Sequence, residues 1–305
     1  MESFVAHLGK RARLNLAAIS TKDVSGWRDA EIASGKHPNS VRYLVKQVRI
    51  PFNAARRQGI ITHSPAEAVE LPATARDDDG GETKRDAFTV EQVKALMDAA
   101  IAREHGRPVF EAGAEWRGAI LFAYRTGARL QDVANITWNA IDLPARLITY
   151  REKKGGKLVT VPMHPELESH LLELSAPHSG KAFLFPKVAG KNTGGRSGLS
   201  MTFARIMARA GVAGEILRAA SEGGKGRTVR SLTFHSLRHS FNSAMANAGV
   251  SQEVRMKLTG HLSAEMNKGY THHELEPLRA AVAVIPGIGA KWRHQRCKTR
   301  ANDNA

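Results

Sequence analysis

Thiols are almost absent from this chain of 305 residues: Cys297 is the single cysteine. No disulfide can form within it, and a reducing compartment fits. Negative charge is scarce too, with 29 Asp and Glu against 45 Lys and Arg. Long apolar runs are missing; none approaches the ~18 residues that a membrane span needs. The opening stretch MESFVAHLGKRARLNLAAIS lacks the basic start and apolar centre of a signal peptide. No internal repeat is visible. These absences exclude the disulfide scaffold, the helical membrane protein and the repeat array, and lead us to expect a cytoplasmic protein.

What is present points to a polyanion. The formal net charge of +16 would repel itself in a folded chain unless a partner or counterions offset it. Nucleic acid is the first candidate and an acidic membrane surface the second. The apolar fraction of 42% and the chain length suit two globular domains.

Residues 1–72 read as mostly helical. Phe4, Leu8, Ala12 and the 14–19 region form short helices, and Thr21 with Asp23 opens the next. Asn39 and Ser40 precede Val41, Val45, Val48 and Phe52, which share one helical face; Pro51 is expected to kink that helix. Arg42, Lys46, Arg49, Arg56 and Arg57 decorate the same segment and are the candidate DNA-binding residues. Residues 73–86, ATARDDDGGETKRD, have no apolar face and read as a linker. A second domain then spans 87–275. It opens with a helix carrying Val93, Leu96, Met97 and Ala100, followed by another with Trp116, Ile120, Ala123 and Gly127 on one stripe. Ile136–Trp138, Leu147–Tyr150 and Leu158–Val161 read as strands. The last two flank the turn Glu152-Lys153-Lys154-Gly155-Gly156 and predict a hairpin. The rest is read as helical, interrupted by glycine-rich loops at 190–198 and 222–226. The expected fold is mainly α with a small antiparallel β-sheet. Residues 276–305 form a C-terminal segment with an apolar run, Val282–Ile288, and a basic tail.

Four segments carry the chemistry. In Thr126-Gly127-Ala128-Arg129-Leu130-Gln131-Asp132, Gly127 ends a helix, Arg129 follows on the bend, and Asp132 is placed to brace its guanidinium. In His235-Ser236-Leu237-Arg238-His239, a helix puts positions 235, 238 and 239 on one face. That sets an imidazole beside a guanidinium, whose forked donors match phosphate oxygens. His239 reads more readily as a hydrogen-bonded core histidine than as a reacting group. No acidic or cysteine ligand lies at a spacing suited to metal, so neither metal nor cofactor is called for. Gly260-His261 reads as a helix stop followed by a directed imidazole. Tyr270 lies nine positions later and is one of only four tyrosines. Its basic neighbourhood favours the phenolate.

Together these segments resemble the catalytic domain of the tyrosine recombinase, or phage integrase, family. The likeness runs from about Arg85 to His272, with the TGxRxx-acid box at Thr126–Asp132 and the HxLRH box at His235–His239. The LGH box carries one extra residue, as Leu258-Thr259-Gly260-His261. The resemblance implies that Tyr270 is the nucleophile, giving a 3′-phosphotyrosyl intermediate without metal or ATP. It implies that Arg129 and Arg238 grip the phosphate, that His235 and His261 add hydrogen bonds, and that Asp132 supports them. A lysine eight residues before Pro162 would protonate the leaving oxygen. That count gives Lys154, with Lys153 and Lys157 beside it as alternatives. Residues before the linker resemble the family's helical core-binding domain, short at its N-terminus. The partners implied are double-stranded DNA and further copies of the chain, as a tetramer on DNA, with Val282–Ile288 docking on a neighbour. The setting implied is bacterial or phage-encoded. A type IB topoisomerase-like enzyme and a DNA-binding protein without catalysis are the rivals.

Overall fold

Ser20 starts the second helix of the chain by a reciprocal cap: its side chain accepts from the Asp23 amide while Asp23 accepts from the Ser20 amide. In the computed structural model, residues 1–73, 86–174, 179–195, 197–219 and 228–259 are described. The described residues fall into two compact units. One comprises 1–73 with the strand pair at 215–219 and 228–231, the other 86–214 with 232–259.

The first unit holds α1 (Glu2–Leu8), two 3₁₀ turns, α2 (Thr21–Ala33) and α3 (Pro38–Arg57). Val41, Val45, Val48, Phe52 and Ala55 recur at helical spacing on α3 and are buried. They meet Val24 and Trp27 of α2 and Phe4 of α1, whose ring packs edge-on to Trp27 and Phe52. One boundary differs from the sequence reading. Helix α3 begins at Pro38, with His37 as its cap, because proline is pre-set for the first helical position. Pro51 lies inside the helix, where its ring removes one amide donor while Phe52 and Ala55 keep the following turn packed on the core.

In the second unit, α4 (Val90–Ala100) is capped reciprocally by Thr89 and Gln92. A two-residue strand pair follows, β1 (Arg103–Glu104) with β2 (Arg107–Pro108). Helix α5 (Gly113–Thr126) is central, with Trp116 and the run 118–123 all buried. Then come α6 (Leu130–Ala134), β3 (Ile141–Asp142), β4 (Leu147–Arg151), β5 (Leu158–Pro162), α7 (Pro165–Glu173) and α8 (Leu199–Arg209). The strands form one antiparallel sheet in the order β3-β4-β5. The chain passes through β6 (Ile216–Arg218) and β7 (Val229–Arg230) of the first unit before α9 (Ser236–Asn247) and α10 (Gln252–Thr259). Helix α5 packs against α4, α7 and α9.

The architecture is therefore mainly α with small antiparallel sheets. Two parts of the strand reading are corrected. Ile136–Trp138 is not a strand: Thr137 makes an isolated bridge to Phe183, and Trp138 opens a 3₁₀ turn. Its backbone bonds go to the short piece 182–184, so no ladder extends from it. The pairing of β6 with β7 also replaces the expected helix with strand beside the glycine-rich loop. Most of the 73–86 linker, the Val282–Ile288 run and the basic tail lie outside the described residues.

Candidate active site

The C-terminal end of α5 sets the first arginine. Gly127 caps that helix in the left-handed conformation at φ 66°, and its amide bonds back to the Ala123 carbonyl. A Cβ there would lie 2.6 Å from the Phe241 ring, so glycine is required twice over, by conformation and by space. The chain then turns to extended backbone at Arg129, which caps α6. Its side chain is 28% exposed, and Nη1 forms an ion pair with Glu152.

Glu152 is therefore the carboxylate that braces Arg129. The sequence reading gave that task to Asp132, and the structure corrects it. Asp132, 7% exposed, accepts from the Lys153 amide at 2.8 Å through Oδ1; its buried Oδ2 has no partner among the described residues. The physical reason is direction. Arg129 is the non-helical cap residue while Asp132 lies within α6, and its carboxylate reaches the end of β4.

The second arginine is buried deeper. Helix α9 starts just after His235, and Arg238 is 1% exposed in its first turn. Its Nη1 donates to the Gly127 carbonyl at 2.7 Å and its Nη2 to the Thr259 carbonyl. Burying a cation is costly unless dipoles replace its water, and these carbonyls supply part of that replacement. His235 and His239 lie one turn apart, ring centroids 5.6 Å, edge to face. His239 is buried, in keeping with a core role, while His235 is partly open to solvent.

The hairpin completes the described part. Register pairs Tyr150 with Val159 and Arg151 with Leu158. The Glu152 amide donates to the Lys157 carbonyl at 2.8 Å and the Gly156 amide to the Glu152 carbonyl at 3.1 Å, closing the loop. Gly155 and Gly156 take φ of 96° and 66°. Lys153 and Lys154 are exposed there, and Lys157 is partly so. Ile148 and Tyr150 on β4, and Glu152 just past its end, alternate inward. Burial pushes the Tyr150 phenol above its ordinary range, against the pull of the Arg238 and Arg129 guanidinium groups and with the push of Asp132 and Glu152. Two cations and two carboxylates thus act on one phenol. A cleft of about 260 Å³ opens beside it, lined by Asp132, Asn135, Thr149, Tyr150 and Lys153 among others.

Arg129 and Arg238 are thereby brought to one place, with Asp132 and the lysine hairpin adjoining. His261 and Tyr270 lie outside the described residues; Thr259, held by Arg238, is two positions before His261. Sequence reasoning missed Tyr150 and Glu152 as site residues. Counting alternate positions along β4 from Ile148 would have found both.

The five DNA-binding candidates in the first unit divide. Arg42 donates to the Pro72 carbonyl, and Arg49 to the carbonyls of Ala66 at 2.9 Å and Val69. Arg56 pairs with Glu67. Lys46 and Arg57 are exposed and make no ion pair among the described residues.

The phage integrase family's profile matches residues 86–276, which takes in every segment just described in the second unit. The chain belongs to the phage integrase family. It is a tyrosine recombinase, an enzyme of site-specific DNA cleavage and rejoining. It is 30% identical over 304 residues to tyrosine recombinase XerC of Rhodospirillum centenum, covering 97% of this chain and 81% of that one. In fold it is similar to lambda integrase (75–356), solved as a dimer bound to a COC′ core site. The TM-score is 0.59 at 19% identity, over 88% of this chain and 86% of the other. It is also similar to lambda integrase solved as a tetramer bound to a Holliday junction. There the TM-score is 0.53 at 18% identity, over 89% of this recombinase and 71% of that chain. Among the described residues, no helix is long and apolar enough to cross a membrane.

Proposed function

We propose that this recombinase integrates or excises DNA by forming a 3′-phosphotyrosyl bond through Tyr270. Support comes above all from the bond of Arg238 Nη1 to the carbonyl of Gly127, two residues before Arg129, which brings the arginines of two distant motifs together. A phosphodiester repels nucleophiles and has a poor alkoxide leaving group. Two guanidinium groups on its non-bridging oxygens offset the first difficulty by stabilising the charge of the five-coordinate transition state. The Tyr270 oxygen attacks phosphorus as His235 takes its proton. The bond from phosphorus to the 5′ oxygen breaks, and Lys154 gives that oxygen a proton. His261 adds a hydrogen bond to the phosphate. The covalent link keeps the bond energy, so a 5′ hydroxyl from another strand reverses the step without ATP.

The partner is double-stranded DNA, held largely through its phosphates in the cytoplasm, with Lys46 and Arg57 contributing from the first unit. The active assembly is a tetramer of this chain, as in the lambda integrase structure on a Holliday junction. The test is a two-site recombination assay on the DNA flanking the gene, run beside a supercoil-relaxation assay, without nucleotide. Recombinant product is expected. Relaxation without recombination would favour a topoisomerase instead, and neither product would overturn the reading.

A further inference from the structure

Glu152 does two things at once. Its side chain, 4% exposed, forms the ion pair with Arg129 Nη1. Its backbone closes the hairpin loop that carries Lys153 and Lys154, by the amide to Lys157 and the carbonyl to Gly156. A parallel link runs beside it, from Asp132 to the Lys153 amide. Arg129 and Asp132 are three residues apart at the start of α6, and Glu152 and Lys153 are adjacent just past the end of β4. Two bonds therefore fasten one short helix to one hairpin turn.

A guanidinium has five N–H donors in a fixed plane. A carboxylate on Nη1 fixes that plane and leaves the other donors available to a phosphate. Without it, the guanidinium would rotate about its side-chain torsions and lose that fixed orientation. The same carboxylate offsets one of the two positive charges around Tyr150, so the arginines do not simply repel each other before a phosphate arrives.

We propose that Glu152 is a positioning residue, holding the Arg129 guanidinium and the lysine-bearing hairpin turn in a single relative geometry. It acts through Arg129 and does not touch the reacting atoms. The inference rests on the reading of Arg129 as a phosphate ligand.

Glu152→Gln in the full chain tests it, because it keeps the volume and an acceptor oxygen while removing the charge. Two measurements are needed. The first is single-turnover covalent capture on a nicked DNA substrate, with DNA affinity and thermal midpoint measured in parallel. The expected result is capture slowed by roughly 10²-fold, the scale of a misplaced catalytic group, at unchanged affinity and midpoint. In an Arg129→Lys background the same substitution should add little, since coupled residues are not additive. Equal slowing in both backgrounds would overturn the proposal, as would slowing matched by a fall in midpoint. The second measurement is the Arg129 Nε–H NMR signal without DNA, assigned by its loss in Arg129→Lys. Glu152→Gln should shift or broaden it. An unmoved signal would overturn the proposal even if capture were slowed, and normal capture by Glu152→Gln would overturn it as well. Failure of the wild type to capture DNA would instead count against the catalytic reading, with the NMR signal still deciding whether Glu152 holds Arg129.

Discussion

Arg238 donates a hydrogen bond from Nη1 to the carbonyl of Gly127 at 2.7 Å, across 111 residues of chain. That carbonyl belongs to the left-handed turn from which Arg129 projects two residues later. The arginine of one motif is thus anchored on the backbone of the other. Its second bond, to Thr259, draws in the end of α10. Arg238→Ala should fail twice. Loss of a donor to transition-state charge typically costs ~3–4 kcal/mol. The stranded carbonyls should lower stability by about 1–3 kcal/mol. Covalent capture on a nicked substrate reads the first loss and urea unfolding the second. Arg238→Lys should recover little of either, because an ammonium is a point charge and cannot fork between two carbonyls. Near-normal capture by either variant would contradict the phosphate clamp.

The basic residues of α3 should separate by what they already hold. Lys46 and Arg57 are free of ion pairs among the described residues, so each change to Ala should weaken DNA binding. Removing one cation that neutralises a phosphate should also flatten the dependence of log K on log salt by about 0.9. Arg49 bonds three backbone carbonyls of residues 66–69. Arg49→Ala should therefore lower the unfolding midpoint of the first unit. Salt-dependent binding curves and denaturation of the three variants would check the division. A large affinity loss from Arg49→Ala at unchanged stability would reverse it.

His170 on α7 gives a pH dependence with a definite sign. Burial lowers its pKa from an ordinary value of 6.5, with Glu173 opposing and Arg117 assisting. Its Nε2 has no partner among the described residues. The unfolded chain therefore takes up this proton more readily than the folded one. The stability it confers is full above the ordinary value and is lost as pH falls below it. His170→Gln should reduce the slope of unfolding free energy with pH below the ordinary value of 6.5. An unchanged slope would show that His170 titrates normally in the folded protein.

Legibility in the sequence followed the range of the interaction. Local periodicity placed His235, Arg238 and His239 together, marked Gly127 as a helix end and matched the β4–β5 hairpin. Each rests on neighbours within one or two turns. Partners across longer loops were not readable. Asp132 looked like the brace of Arg129 because it is three residues away, yet Glu152, 23 residues on, holds that place. The charged stripe of α3 read as a nucleic-acid surface, but Arg42 and Arg49 satisfy carbonyls of the chain that folds back along it. Ile136–Trp138 has strand composition but meets only a short segment at 182–184. In all three cases the deciding partner is a group brought in by tertiary folding.

The phenol oxygen of Tyr270 is the proposed reacting atom. A nicked duplex that releases a short strand on cleavage should trap a covalent protein–DNA complex that survives denaturing electrophoresis. Proteolysis and mass spectrometry should place the nucleotide on the peptide containing Tyr270, and Tyr270→Phe should bind the same duplex yet leave no complex. A complex that persists in Tyr270→Phe, or that maps to Tyr150, would contradict the account.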